Sequence, residues 1–450
     1  MFSTIKRLLA FLSFPSSPPP HPQQHQQQHQ QHQQQESPTM YVKDPKPDVQ
    51  VTTIQSKGIY HGLPVLPDSL KGLSAIVAGS NGMSGDHMVR VLSESPQRWT
   101  NIYTISRRAP EADRKVGAGG ANVKHITADF LSSSPEQLGR LLLEKGIKAI
   151  GALLSNFLGA LKFASIKPKR FMLQTGAKHY GLHLGTTKTP QAESDPRVNI
   201  EPNFYYDQED ILFKYCKETG VEWNIVRPSF ILGAVKNAAM NLAYGLGVFA
   251  AVNAHLGRPL AFPGNIASWD VVRDMSSAML NGYMEEWAVL NPKTPNEVFN
   301  ACDNSATTPG SLWTQLANLY RVKYTTPAEN GEYKSMTMPC PPPRGFGPPE
   351  EIHFSYALVM WSYDPQVHAA WKELAQKHHL VQDPFATPAD RNRIFGFTDT
   401  ALLGGTPVQF SMDKSRKFGW NGNVDSSESL RKVLQELVEM KMLPPLPKPK

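Results

Sequence analysis

Residues 173–180 read LQTGAKHY, in which a short apolar run meets a glycine turn and Lys178, His179 and Tyr180 then stand together. Three titratable side chains just past a strand end lie where open α/β sheets place their chemistry. The residue types alone do not say which of the three works, or with what partner. A second group is suited to binding phosphate. Gly79, Gly82 and Gly85, spaced GxxGxxG, directly follow the apolar run LSAIVA (73–78). Gly79 permits a tight turn, Gly82 lets backbone N–H groups approach a pyrophosphate, and Gly85 allows a helix to pack closely on the strand.

These groups need a strand–turn–helix frame, and the sequence supplies one. LSAIVA has the pattern of a strand buried on both faces, and Met83, Met88, Val91 and Leu92 then mark one side of a helix. The next strand, NIYTIS (101–106), ends in Ser106, Arg107 and Arg108, where a fold preferring NAD would carry an acid. Two arginines and a hydroxyl suit a 2′-phosphate, so NADPH is the expected cofactor. NVKHITADF reads as a third strand, ending in Asp129 and Phe130 beside the adenine position. GIKAIGA (146–152) reads as a fourth strand and KRFMLQTG (169–176) as a later one. Strands alternating with helices imply a doubly wound parallel sheet. The GxxGxxG spacing is typical of extended short-chain dehydrogenases, which normally carry Tyr-x-x-x-Lys. No tyrosine in this chain has a lysine four residues later.

The 450 residues allow two domains, or one large domain with a cap. The net charge of +7 lies partly in the tail KPKPK and does not point to nucleic acid. Three scattered cysteines exclude a disulfide framework and a CxxC metal site, and no apolar stretch is long enough to span a bilayer. MFSTIKRLLAFLSF resembles a signal or transit sequence, so a cytoplasmic location has a mitochondrial alternative; Met1 and Met40 are both candidate starts. The Pro-rich and Gln/His-rich stretch that follows cannot form a core, and residues 1–55 are expected to be disordered. Helix DQEDILFKYCKETG (207–220) should turn Ile211, Leu212 and Tyr215 inward, with Glu209 and Asp210 complementing its macrodipole. MNLAYGLGVFAAV and AMLNGYMEEWAVL read as helices of a substrate-side cap.

LQTGAKHYG, EPNFYYDQEDILF (201–213), WNIVRPSFILG (223–233), AAMNLAYGLGVFAAV (238–252), FPGNIASWD (262–270) and NEVFNACDN (296–304) occur in this order. Together they resemble the progesterone 5-beta-reductase and iridoid synthase-like (PRISE) branch of the extended short-chain dehydrogenases. SMDKSRKFGW (411–420) is similar to its fungal members. The resemblance implies a Rossmann domain over 60–233 and a mainly helical capping region over 234–450, interleaved with it. It implies 1,4-reduction of a small apolar enone with NADPH. The catalytic lysine falls on Lys178 and the tyrosine on Tyr205, which also touches the cofactor. Further cofactor contacts fall on Asn81, Gly82 and Met83, Arg107 and Arg108, Asp129 and Phe130, Gln174, Ile231, and Ala238, Ala239 and Met240. His179, Tyr180 and Tyr206 are then packing residues, and the expected partners are the enone and a second copy of the chain. One departure stands out near 150–153, where GIKAIG runs almost directly into ALLSNFLGALKFASI. The end of a strand, the start of a helix and two family cofactor contacts look deleted. Two other readings remain: an epimerase or dehydratase, and an NADP-binding regulator of the NmrA kind or a catalytically impaired enzyme.

Overall fold

The structure is a computed structural model that describes residues 53–110, 122–129, 134, 137, 140, 154–236 and 240–447. The described chain opens with an antiparallel hairpin, β1 (Ile54–Lys57) and β2 (Tyr60–Pro64), turned by Gly58 in the left-handed region. The expected disordered tail lies outside the described residues up to residue 52, and its last residues, Ile54 and Gln55, belong to β1.

The apolar run after the hairpin forms β3 (Leu73–Ala78), and the glycine turn leads into α1 (Met83–Ser93). Strands β4 (Trp99–Ser106) and β5 (Asn122–Thr127) follow, and β3, β4 and β5 pair in parallel in the order 5-4-3. The fourth strand expected in GIKAIGA and the apparent deletion at 150–153 lie outside the described residues. The chain resumes at α2 (Leu154–Phe163) and enters β6 (Arg170–Gln174), followed by a 3-10 turn (Ala177–Tyr180). Helix α3 (Phe204–Thr219), strand β7 (Glu222–Pro228) and the short β8 (Phe230–Leu232) complete this stretch. Later come α4 (Leu242–His255), β9 (Met275–Ser277), α5 (Ala278–Leu290) and β10 (Glu297–Ala301). Strands β6, β7 and β10 form a second parallel group, order 6-7-10, and β8 pairs in parallel with β9. The architecture is the expected Rossmann-type α/β fold.

Between β3 and β6 no pairing crosses among the described residues. The expectation that β3 is buried on both faces is therefore corrected: Val77 is its only buried residue, and Ser74 and Ala78 are exposed. The reason is local, because β3 and β6 face each other across a cavity that both strands line along their whole length. The helix layers close the seam. Ile105 and Ile126 of one group share a core with Phe171 and Ile225 of the other, through Phe157 and Leu161 of α2 and Leu212 and Tyr215 of α3. Leu212 and Tyr215 thus point inward as expected, whereas Ile211 is 37% exposed, a correction that follows from its position about 100° round the helix from Leu212.

Helix α4 is buried on nearly every side, as an all-round apolar helix must be. It packs among α6 (Pro309–Tyr320), α7 (Pro365–His378) and α8 (Ser426–Glu439). Helix α5 corrects the other cap expectation, because it lies against α1 on the sheet. Gly282 makes this approach possible: a Cβ there would stand 2.9 Å from Val91 Cγ2.

Candidate active site

The glycine turn forms one end of the cleft. Gly79 adopts φ +68°, and the Gly82 N–H donates to Gly79 O at 2.9 Å. A Cβ on Gly85 would collide with the Gly79 carbonyl, so only glycine lets α1 start this close to β3. Gly82 caps α1 with no side-chain acceptor, which leaves first-turn N–H groups facing the cleft as an anion site. At the end of β4, Ser106 Oγ and Asn81 Nδ2 both donate to the Arg108 carbonyl, at 2.6 and 2.9 Å. This fixes a loop from which the Arg107 and Arg108 side chains extend into solvent. Asp129 closes the same cleft beyond β5. Gln174, at the end of β6, donates to Ser84 Oγ at 2.7 Å, while its buried Oε1 accepts nothing among the described residues.

The cavity holds about 2240 Å³, more than twice the size of an ordinary small-molecule pocket, because it continues from the cleft into the seam between β3 and β6. It is lined by Gly79, Asn81, Gly82, Gly85, Ser106, Arg107, Arg108, Asp129 and Gln174. Met83, Lys178, Tyr205, Ile231 and Met240 are not among its lining residues. Met83 Cγ packs instead against Gly233, Ile231 pairs with Ser276 inside the β8–β9 ladder, and Met240 is 54% exposed. Phe130, Ala238 and Ala239 lie outside the described residues. Ser84 and Lys236 also line the cavity and escaped the sequence reading. A hydroxyl in the first turn after a glycine loop was the available signal for Ser84.

Lys178 and Tyr205 come from two different elements. Asn203 caps α3, its Oδ1 accepting from the Tyr205 N–H at 3.1 Å, so Tyr205 sits in the first turn. The same side chain donates to the Lys178 carbonyl at 2.9 Å and ties the helix start to the 3-10 turn. The Tyr205 hydroxyl lies 3.1 Å from where a Cβ on Gly176 would be, just past the end of β6. Burial pushes the Tyr205 phenol up to about 12, so it is a neutral donor throughout the physiological range. Burial also holds Lys178 below the usual lysine value, with the Glu201 carboxylate opposing that shift. Lys178 Nζ stands 5.9 Å from the Phe204 ring centre, and that ring is 4.4 Å from the ring of Tyr205.

The neighbours of the pair sort themselves by burial. His179 is buried edge-on between the rings of Tyr180 and Tyr206, and Tyr180 Oη donates to Asn300 Oδ1 at 2.5 Å. Glu209 corrects the macrodipole expectation, because it is 2% exposed and accepts from Arg227 and Arg197, both at 3.1 Å. Burial raises its carboxyl, but the adjacent His179 ring and the Arg227 guanidinium outweigh that effect and hold it at about 2. The exposed Asp210 pairs with Arg197 at 2.8 Å. His183 Nε2 lies 2.7 Å from Glu201 Oε1; burial and the Lys178 charge lower the histidine's proton affinity. No local spacing in the sequence connects these two residues. Chemically, the arrangement offers an anion cradle for a dinucleotide and, apart from it, a neutral phenol and a partly desolvated ammonium, each near the Phe204 ring.

A family model for a PRISE-like Rossmann-fold domain matches residues 151–338. The chain is 30% identical over 285 residues to (S)-8-oxocitronellyl enol synthase ISY1 of Nepeta cataria, an alignment covering 58% of this chain and 71% of that enzyme. It is 27% identical to 3-oxo-Delta(4,5)-steroid 5-beta-reductase of Arabidopsis thaliana, covering 82% of this chain and 93% of the relative. Against short chain dehydrogenase gsfE of Penicillium aethiopicum the identity is 25%, over 82% of this chain and 99% of that one.

Proposed function

The chain belongs to the PRISE-like family of Rossmann-fold oxidoreductases, and on that premise we propose that it reduces the carbon–carbon double bond of a small apolar enone with NADPH. The observation that carries this reading is the Tyr205 hydroxyl of a half-buried side chain, neutral against Gly176 at the end of β6.

The residues present fit the dinucleotide. The first-turn N–H groups of α1 and the glycine turn would take its diphosphate, Ser106, Arg107 and Arg108 its 2′-phosphate, and the unpaired Gln174 Oε1 a donor of the cofactor. When bound, it would supply the hydride. Tyr205 then donates a hydrogen bond to the enone carbonyl, whose oxygen gains negative charge as the double bond is reduced. Lys178 adds a nearby positive charge that favours this build-up. The relative named for acting on a 3-oxo-Delta(4,5)-steroid points to the same substrate class, a double bond conjugated to a ketone.

The test is NADPH oxidation monitored with 2-cyclohexen-1-one. Turnover is expected, with a large loss in Tyr205→Phe. One observation favours a second reading, a dinucleotide-binding protein without turnover: the edges of β3 and β6, unpaired among the described residues, border the cleft. Tight NADPH binding with no oxidation on any enone would select it.

A further inference from the structure

In a Tyr-x-x-x-Lys helix the two side chains lie one turn apart, and the helix itself fixes their spacing. Here α3 carries Tyr205 and the 3-10 turn carries Lys178, so no single element holds them in register. Some other set of bonds must do so. Tyr206 makes the shortest of them, its Oη donating to the His179 carbonyl at 2.6 Å and accepting from the Val198 N–H at 2.8 Å. Both Tyr206 and His179 directly follow the residue they would position.

The phenol of Tyr206 is itself held in place. The Arg197 guanidinium lies 4.9 Å from its ring centre and the His179 ring meets it edge-on at 5.1 Å. Arg197 is fixed in turn by Glu209, one helical turn beyond Tyr205. Glu209 also binds Arg227 of β7, whose next residue, Pro228, presents its carbonyl 3.5 Å from the same Gly176 position that Tyr205 approaches. Helix α3, the 3-10 turn and β7 therefore meet at one buried polar cluster. His179 Nδ1 stands 3.3 Å from Glu209 Oε1 but makes no aligned hydrogen bond, so the carbonyl rather than the ring of His179 is the point of attachment.

We propose that Tyr206 is a positioning residue for the Lys178–Tyr205 pair, acting through the His179 carbonyl, with the Glu209–Arg227–Arg197 cluster as its anchor. The proposal rests on the enone-reductase reading of that pair. It assigns the second tyrosine of NFYY a task that the first cannot perform, since the hydroxyl of Tyr205 is directed to Gly176 and that of Tyr206 to the turn.

Replacing Glu209 would leave two arginines without their buried partner and risks unfolding, so Tyr206→Phe is the informative variant. It removes one hydroxyl and keeps the ring contacts. With NADPH and 2-cyclohexen-1-one, kcat is expected to fall roughly tenfold or more while KM for NADPH stays within about twofold. Tyr283→Phe, which loses a comparable hydroxyl bonded to Glu94 and to no residue of this cluster, controls for general loosening and should keep its kcat. In a Tyr205→Phe background the Tyr206 change should cost nothing further, because its effect passes through Tyr205. A folded Tyr206→Phe protein with kcat within about twofold of the parent overturns the proposal, as do additive losses in the double variant. If the parent enzyme turns over no enone, the functional reading fails on its own. The positioning claim is then decided by trace acetylation of Lys178 followed by mass spectrometry. A rate at least about threefold higher in Tyr206→Phe upholds it, and equal rates refute it.

Discussion

A Cβ on Gly176 would stand 3.1 Å from the Tyr205 hydroxyl, tighter than an ordinary contact, and at an ordinary 3.5 Å from the Pro228 carbonyl, so a methyl group there requires the hydroxyl to give way by a few tenths of an ångström. The tyrosine side chain moves more easily than the strand. Gly176→Ala should therefore lower kcat about threefold to tenfold with little change in melting temperature; an unchanged kcat would mean that the hydroxyl position is not critical. Protonation adds a second constraint at this scale. Burial lifts Tyr205 to about 12 and depresses Lys178, so on raising the pH the lysine is the first of the pair to lose its proton. The rate should fall on an alkaline limb centred below 10.5, the ordinary lysine value. Lys178→Arg keeps its charge at every accessible pH and should lack that limb, at a lower maximal rate. A limb that persists in this variant would assign the titration to another group.

Asn203 makes two bonds of opposite sense, and they can be separated at the level of the element. Its Oδ1 caps α3 by accepting from the Tyr205 N–H, and its Nδ2 donates to the Lys178 carbonyl. Asn203→Ala should cost about 1 kcal/mol of stability and also lower activity. Asn203→Asp keeps the cap acceptor and loses the donor, so melting temperature should recover while kcat stays low. Recovery of both would show that only the cap matters. Elements marked by local signals were legible in the sequence, including β4, β6 and the glycine turn into α1, because apolar runs and glycines report local geometry. What an element packs against was not. Helix α5 has the composition of a cap helix yet lies on α1, and Glu209 reads as a helix-end acid until β7 brings Arg227 to it. The assignment of Lys178 and Tyr205 as a pair came only from family resemblance, since no short spacing joins a turn to a distant helix. Met83 and Ile231 came from that same resemblance, and neither is among the residues that line the cavity.

Across the whole molecule the seam between β3 and β6 is bridged by helix layers, and its cavity reaches α5, where Glu285 and Glu286 meet opposite fates. Glu286 accepts from Trp99 Nε1 at 2.7 Å and pairs with Arg98 at 3.1 Å. Glu285 lines the cavity, is 6% exposed, and its Oε1 has no hydrogen-bond partner. Burial pushes its carboxyl from 4.5 up to about 8. Asp399 and Asp303, raised by burial to about 7 and about 6, act in the same direction. An unfolded glutamate releases its proton near pH 4.5 while the folded Glu285 keeps it until about pH 8. Unfolding therefore releases a proton between these values, and stability falls as pH rises through that window, by about 1.4 kcal/mol per pH unit for a single group. Glutamine cannot ionise in either state and removes this slope. The melting temperature of Glu285→Gln relative to the parent should therefore rise by several degrees between pH 5 and pH 8. A difference that stays constant over the same range would mean that the carboxyl is ionised in the folded protein.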